Sequence, residues 1–220
     1  MEFPARLVDG YRTFRHTRLP IEQNRYSELA ETGQQPEIMI VGCCDSRVSP
    51  EVIFDARPGE LFVVRNVANL VPPYSPTGFT HGVSAALEFA VQALKVKHIV
   101  VLGHARCGGI RAFAAQDVPL SSGDFIGKWM SLIAPAAETV GACGDRPLAD
   151  YLMQLEQASM VKTLDNLMTF PFVRILVESQ RLQLHAAYFD VAIGLLSIRD
   201  SMTGNFARLG AAGKEESNTA

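Results

Sequence analysis

Two short clusters in this 220-residue chain hold side-chain types that bind metal ions. Cys43-Cys44-Asp45-Ser46-Arg47 follows the apolar run EIMIVG, and GHARCGG (103–109) follows the apolar run HIVVL. His104 and Cys107 stand three residues apart, but two ligands do not hold zinc. If the two apolar runs are neighbouring strands of a parallel sheet, both clusters lie at the carboxyl edge, where such sheets gather functional groups. One thiolate from the first cluster, with His104 and Cys107, then forms three legs of a tetrahedron. A Cys2His set with an open fourth position suits a catalytic zinc rather than a structural one. Asp45 next to thiolates would be repelled unless something held it, and Arg47 two residues on can hold it through paired hydrogen bonds. A phosphatase loop is excluded, because the arginine it needs six residues after the cysteine is Ser49 counted from Cys43 and Pro50 counted from Cys44.

The elements that must position these groups are legible from periodicity. EIMIVG, ELFVVRN and HIVVLG read as short buried strands. Between the last two, Val83, Ala86, Leu87, Ala90, Val91 and Leu94 form the stripe of a helix with one buried face. Apolar strands alternating with helices predict a parallel sheet covered on both faces. Upstream, IEQNRYSELAETG predicts a helix closed by Gly33. Downstream, DFIGKWMSLIAPAAETV (with Asp124 as its cap), PLADYLMQLEQASMVKTLDNLMT (with Pro147 in its first turn) and PFVRILVESQ predict helices. LQLHAAYFDV and GLLSIRD then predict two closing strands. The expected organisation is an N-terminal helical arm over 1–35, one α/β domain over 36–205, and a disordered tail over 206–220.

Composition narrows the function classes. Hydrophobic residues make up 48% and charged residues 20%, with a net charge of −3. With no Lys/Arg run, that balance points away from nucleic acid. No apolar run approaches the roughly 20 residues of a membrane helix, and the opening MEFPARLVDGYRTF lacks a signal-peptide core. A cytoplasmic protein without a membrane partner is expected. Four cysteines are too few for a disulfide framework in a chain of this length. They are core residues, reactive thiols or ligands.

The stretches CCDSRVSPEVIFDARPGELFVVRNVANLVPP and GVSAALEFAVQALKVKHIVVLGHARCGGI combine C-x-D-S-R with H-x-x-C, and there the chain resembles the β-class carbonic anhydrases, more loosely from Gln23 to Asp190. The resemblance implies a lyase that interconverts carbon dioxide and bicarbonate by attack of zinc-bound hydroxide, with one Zn2+ per chain. It implies Cys43, His104 and Cys107 as zinc ligands and Asp45 with Arg47 as the catalytic pair, Asp45 either orienting the zinc-bound water or ligating zinc in a closed form. It implies an apolar substrate pocket formed by Phe62, Val67 and Phe89, with Phe89 where a tyrosine often stands. Gln34 would bind substrate across a dimer interface, and Gly108 would supply a backbone amide. The implied fold is a mostly parallel sheet, four parallel strands plus an additional one, flanked by helices. The implied assembly is a homodimer with N-terminal helices wrapped over the partner, and a dimer of dimers joined edge to edge through GLLSIRD is a further option.

Some members of that family hold an inhibitory bicarbonate on a tryptophan, an arginine and a tyrosine. Here those positions are Ile40, Arg65 and Phe189 (or the adjacent Tyr188), so that second site is expected to be missing. Cys44 stands where serine is frequent; Cys143 has no visible partner, and His16, His81, His98 and His185 are undifferentiated as proton carriers. Two other readings keep the site: a carbon disulfide or carbonyl sulfide hydrolase, and a non-catalytic zinc-binding or redox-sensing protein. Retention of both Asp45 and Arg47 counts against the last.

Overall fold

Strand β1 (Ile38–Cys43) lies between β2 (Leu61–Asn66) and β3 (His98–His104), parallel to both. The computed structural model describes residues 3–77, 81–115 and 123–210. Before β1 come α1 (Ala5–Thr17) and α2 (Leu19–Thr32); the single turn α3 (Pro50–Ile53) and then α4 (Gly82–Glu88) follow β1 and β2 in turn. After β3 come α5 (Gly108–Ala115), α6 (Asp124–Met130), α7 (Ala134–Val140), α8 (Leu148–Met168) and α9 (Pro171–Glu178). The chain then returns as β4 (Gln183–Phe189), β5 (Leu196–Arg199) and β6 (Phe206–Arg208). The sheet order is β2-β1-β3-β4-β5-β6. β4 is parallel to β3; β5 and β6 are antiparallel additions.

The four parallel strands are those the apolar runs predict. One face of the sheet carries Met39, Val41, Ile99, Val101, Ala186 and Tyr188, and these join Leu87, Ala90, Met160, Leu167, Phe170 and Val173 from the helices in the main core. The opposite face departs from the expectation of full cover. Its buried centre is only Ile40, Leu102 and Ala187, bordered by half-buried Ile38, Leu61 and Val100. A groove of about 490 Å3, lined by Arg25, Ile38, Ile40, Phe54, Leu61 and Val100, opens over it. Periodicity registers an apolar residue on a strand but not whether a helix of the same chain covers it.

Three local differences have physical causes. The predicted helix over 83–94 ends as a π-turn, Phe89–Ala93, closed by the Leu94 amide on the Phe89 carbonyl; the wider turn still buries Leu87, Ala90 and Val91. Gly123, not Asp124, is the N-cap of α6. The stretch read as a tail begins with a strand: β6 pairs with β5 and turns GLLSIRD from an edge into an interior strand, which removes the edge-to-edge contact expected of it. The rest of that tail, 211–220, lies outside the described residues.

The arm, α1 and α2, buries none of its residues within this chain. Gly33 ends α2 with φ 79°, a conformation that favours glycine. α2 is tied to the domain by Arg25, whose Nε donates to the Pro58 carbonyl, and by Leu29 against Gly59.

Candidate metal centre

Cys43 ends β1 and His104 ends β3, so adjacent parallel strands deliver both residues to one carboxyl edge. The chain then turns through Ala105 and Arg106 and brings Cys107 back as the residue before α5. Arg106 takes φ 60°, an uncommon value for a residue with a side chain. The ligand atoms of Cys43, His104 and Cys107 lie within 4.8 Å of one another, and all three residues are buried.

The imidazole of His104 is oriented by its neighbour. Nδ1 lies 3.0 Å from the Ala105 carbonyl and donates to it. Nε2 is left with a free lone pair, buried and without a hydrogen-bond partner. An orphaned acceptor of this kind is costly unless a ligand completes it. The thiols point the same way. Cys43 is pulled well below the usual thiol range, first by a hydrogen bond from the Cys107 thiol, then by His104 and the Asp45 and Ala68 amides, against the effect of burial. Cys107 is pushed up by that same bond to Cys43 and by burial, while the Gly109 and Ile110 amides pull its sulfur the other way. A bound dication would displace the thiol protons. Two soft sulfurs and one imidazole, oriented by a carbonyl, fit zinc in type, number and burial.

Asp45 borders the group, its Oδ2 3.9 Å from His104 Nε2. Arg47 donates to it three times: Nε to Oδ1 at 2.9 Å, Nη2 to Oδ2 at 2.7 Å, and the backbone amide to Oδ1 at 3.0 Å. Those bonds hold the Asp45 carboxyl well below the usual carboxylate range against its burial. Arg47 Nη2 also reaches the Arg106 carbonyl in the ligand turn. Arg65 fastens the other side, its Nε donating to the Cys43 carbonyl at 2.8 Å and its Nη2 to the Asp45 carbonyl at 2.6 Å.

The remaining sequence-predicted residues divide in two. Val67 and Gly108 lie beside the centre: Val67 directly follows β2, a methyl group on Gly109 would lie 2.9 Å from its Cγ1, and Gly108 opens α5 with free space where a Cβ would stand. Phe62, Phe89 and Gln34 are not brought to it. Phe62 pairs in register with Met39, four positions before Asn66 opposite Cys43, which is roughly 13 Å along the strand. Phe89 stacks on Phe62 with ring centroids 5.9 Å apart and is about half exposed (49%). Gln34 is exposed at the amino end of β1. Within one chain these three cannot line a pocket at the metal group. Cys44 is exposed and outside the group.

A buried carboxylate absent from the sequence reading also touches the ligand turn. Glu156 of α8, 5% exposed, accepts the Cys107 amide at Oε1 (2.9 Å) and the Tyr188 hydroxyl at Oε2 (2.6 Å). Burial pushes its pKa up, while those donors and the Arg106 amide oppose the shift. The available signal was a glutamate on the same helical face as Ser159, Met160 and Thr163, all buried.

Comparison with known proteins agrees with this geometry. A family model described as carbonic anhydrase matches residues 38–196. The chain is 34% identical over 196 residues to β carbonic anhydrase 3 of Arabidopsis thaliana, covering 88% of this chain and 75% of that relative. Among solved structures, it resembles the β-carbonic anhydrase CcaA, with a TM-score of 0.83, 26% identity, and 93% and 98% of the two chains covered. It also resembles one of two tetrameric β-carbonic anhydrases of the filamentous ascomycete Sordaria macrospora, with a TM-score of 0.74, 28% identity, and 94% and 96% covered.

Proposed function

The chain belongs to the β-class carbonic anhydrases, lyases that hydrate carbon dioxide reversibly, and from that premise we propose that Cys43, His104 and Cys107 hold one zinc ion while Asp45 and Arg47 orient the attacking water. The observation that carries the reading is the buried, unpartnered Nε2 of His104, which shares a 4.8 Å cluster with two sulfurs and lies 3.9 Å from an arginine-held carboxylate. Zinc, when bound, lowers the pKa of a coordinated water towards neutrality and so supplies the nucleophile.

The chain's own residues do the rest. Arg47 keeps Asp45 ionised and fixes both its oxygens, so Oδ2 can accept a hydrogen bond from the attacking water. That bond leaves a lone pair directed at the substrate carbon. Carbon dioxide is small and apolar, and Val67 offers an apolar wall beside the centre. Phe62, Phe89 and Gln34, remote from their own metal group, serve the site of a second copy. The open apolar sheet face and the arm, none of whose residues is buried in its own chain, support a homodimer whose 1–35 arm packs on the partner; pairing of dimers into a tetramer is in keeping with the Sordaria macrospora relatives.

The chain lacks the inhibitory bicarbonate site. Ile40 is buried against the sheet, and the Arg65 Nε and Nη2 are engaged by the Cys43 and Asp45 carbonyls. We place the enzyme in the cytoplasm; among the described residues no helix is long and apolar enough to cross a membrane. The test is stopped-flow hydration of carbon dioxide with zinc counted per chain. Asp45→Asn should keep its zinc and lose about 10²–10⁴-fold in rate. A zinc-loaded, inactive wild type would instead leave the non-catalytic zinc-binding reading standing.

A further inference from the structure

The ligand turn at 104–107 is held from two sides, and only one side is explained by the residues already assigned. From the open side, Arg47 reaches the Arg106 carbonyl. From the buried side, Glu156 accepts the Cys107 amide and the Tyr188 hydroxyl. We propose that Glu156 is a positioning residue for the metal centre: its carboxylate fixes the backbone of Cys107, and with it the sulfur, where Cys43 and His104 require it. This inference rests on the zinc-site reading above.

The argument starts at Gly103, one residue before His104. A methyl group there would overlap Met160 of α8, so the missing side chain lets α8 close onto β3 at that level. Glu156 is one helical turn before Met160 and shares its face. The close approach therefore carries Glu156 over the turn that leaves β3. Tyr188 pairs in register with Gly103, so β4 supplies the hydroxyl that anchors the second carboxylate oxygen.

A buried carboxylate is expensive to keep without donors. Glu156 collects the hydroxyl of Tyr188 and the amide of Cys107. Arg106 holds φ 60°, and such a backbone persists only where surrounding contacts over-determine it. Glu156 supplies that determination from beneath. Loss of the Glu156 contact therefore frees the Cys107 backbone and lets its sulfur shift relative to Cys43 and His104.

The test is zinc retention against a chromophoric chelator, together with the absorption spectrum of the cobalt-substituted protein. Partners that orient metal ligands are typically worth 10–100-fold in metal affinity, so Glu156→Ala should hold zinc about 10–100-fold more weakly and shift the sulfur-to-cobalt bands. Glu156→Gln keeps the length and an acceptor oxygen for the Cys107 amide, and should retain zinc nearly as wild type. Glu156→Asp keeps the charge but draws the oxygens away, and should resemble the alanine variant. If Glu156→Ala does not fold, the Gln and Asp pair decides alone. Wild-type retention and spectrum in both the Ala and Asp variants, or a Gln variant as weak as Asp, would overturn the inference. A wild-type chain that takes up no zinc removes the zinc reading and the inference together, whereas a zinc-loaded wild type with an equally retentive Glu156→Ala removes only the inference.

Discussion

Gly103 of β3 and Met160 of α8 are packed so closely that even one methyl group at Gly103 would overlap the thioether. The contact lies in the buried core, one residue before His104, and it sets how near the long helix comes to the ligand turn. Gly103→Ala must therefore push α8 outward or force Met160 into another rotamer. Overpacking of this kind costs roughly 1–3 kcal/mol. The expected outcome is a lower denaturation midpoint together with reduced zinc content, read by chemical unfolding and metal analysis. A variant equally stable and fully loaded would show that the helix yields freely there.

Arg47→Lys separates charge from geometry. The guanidinium grips both oxygens of Asp45, while an ammonium is a point charge that cannot span them. Loss of one such charge-assisted bond is worth about 1.5–3 kcal/mol, so hydration should slow by roughly 10–100-fold. Zinc content should stay unchanged, because Arg47 is not in the ligand group. Steady-state hydration rates beside metal analysis check both statements.

Two inactive variants should repair each other if the pocket is shared between copies. Asp45→Asn spoils the metal side of a site, and Gln34→Ala with Phe89→Ala spoils the side given to the partner. A mixed dimer contains one site with both halves intact. Random exchange of equal amounts should restore about a quarter of wild-type activity in a two-fold dimer. Mixtures that stay as inactive as their components would show that Phe89 and Gln34 do not serve the partner's site.

His185 gives a pH dependence unconnected with the metal. It faces His98 across β3 and β4, with Nε2 3.2 Å from His98 Nδ1. Burial, with His98 nearby, lowers its pKa from 6.5. The charged form is thus disfavoured in the fold, and the unfolded chain takes up the proton first. The contribution of His185 is complete above 6.5 and declines as pH falls from 6.5 towards the lowered value. Thermal midpoints should drop over that interval in wild type, and the drop should flatten in His185→Gln. Identical pH slopes in the two proteins would contradict this account.

Much of the candidate metal edge is legible in the sequence. β1 and β3 are short apolar runs followed at once by ligand-type residues, and strand ends are where parallel sheets place such groups. Arg47 two residues after Asp45 is a local pairing, and it is found as expected. By contrast, β6 leaves no mark in the sequence, because its three residues are too few to show alternation. The place of Phe62 relative to Cys43 depends on strand register, which its aromatic character does not encode. Glu156 is 49 residues from the amide it accepts, and nothing local marks it beyond its being a charge on a buried face.

Residue type and short-range periodicity suffice to specify the donor set, its charge and the strands that carry it. The free nitrogen of His104, the open sheet face and the carboxylate beneath the ligand turn emerge only when the chain is folded. Those depend on crossings between distant segments, where a glycine at 103 and a methionine at 160 meet through packing that no local pattern records.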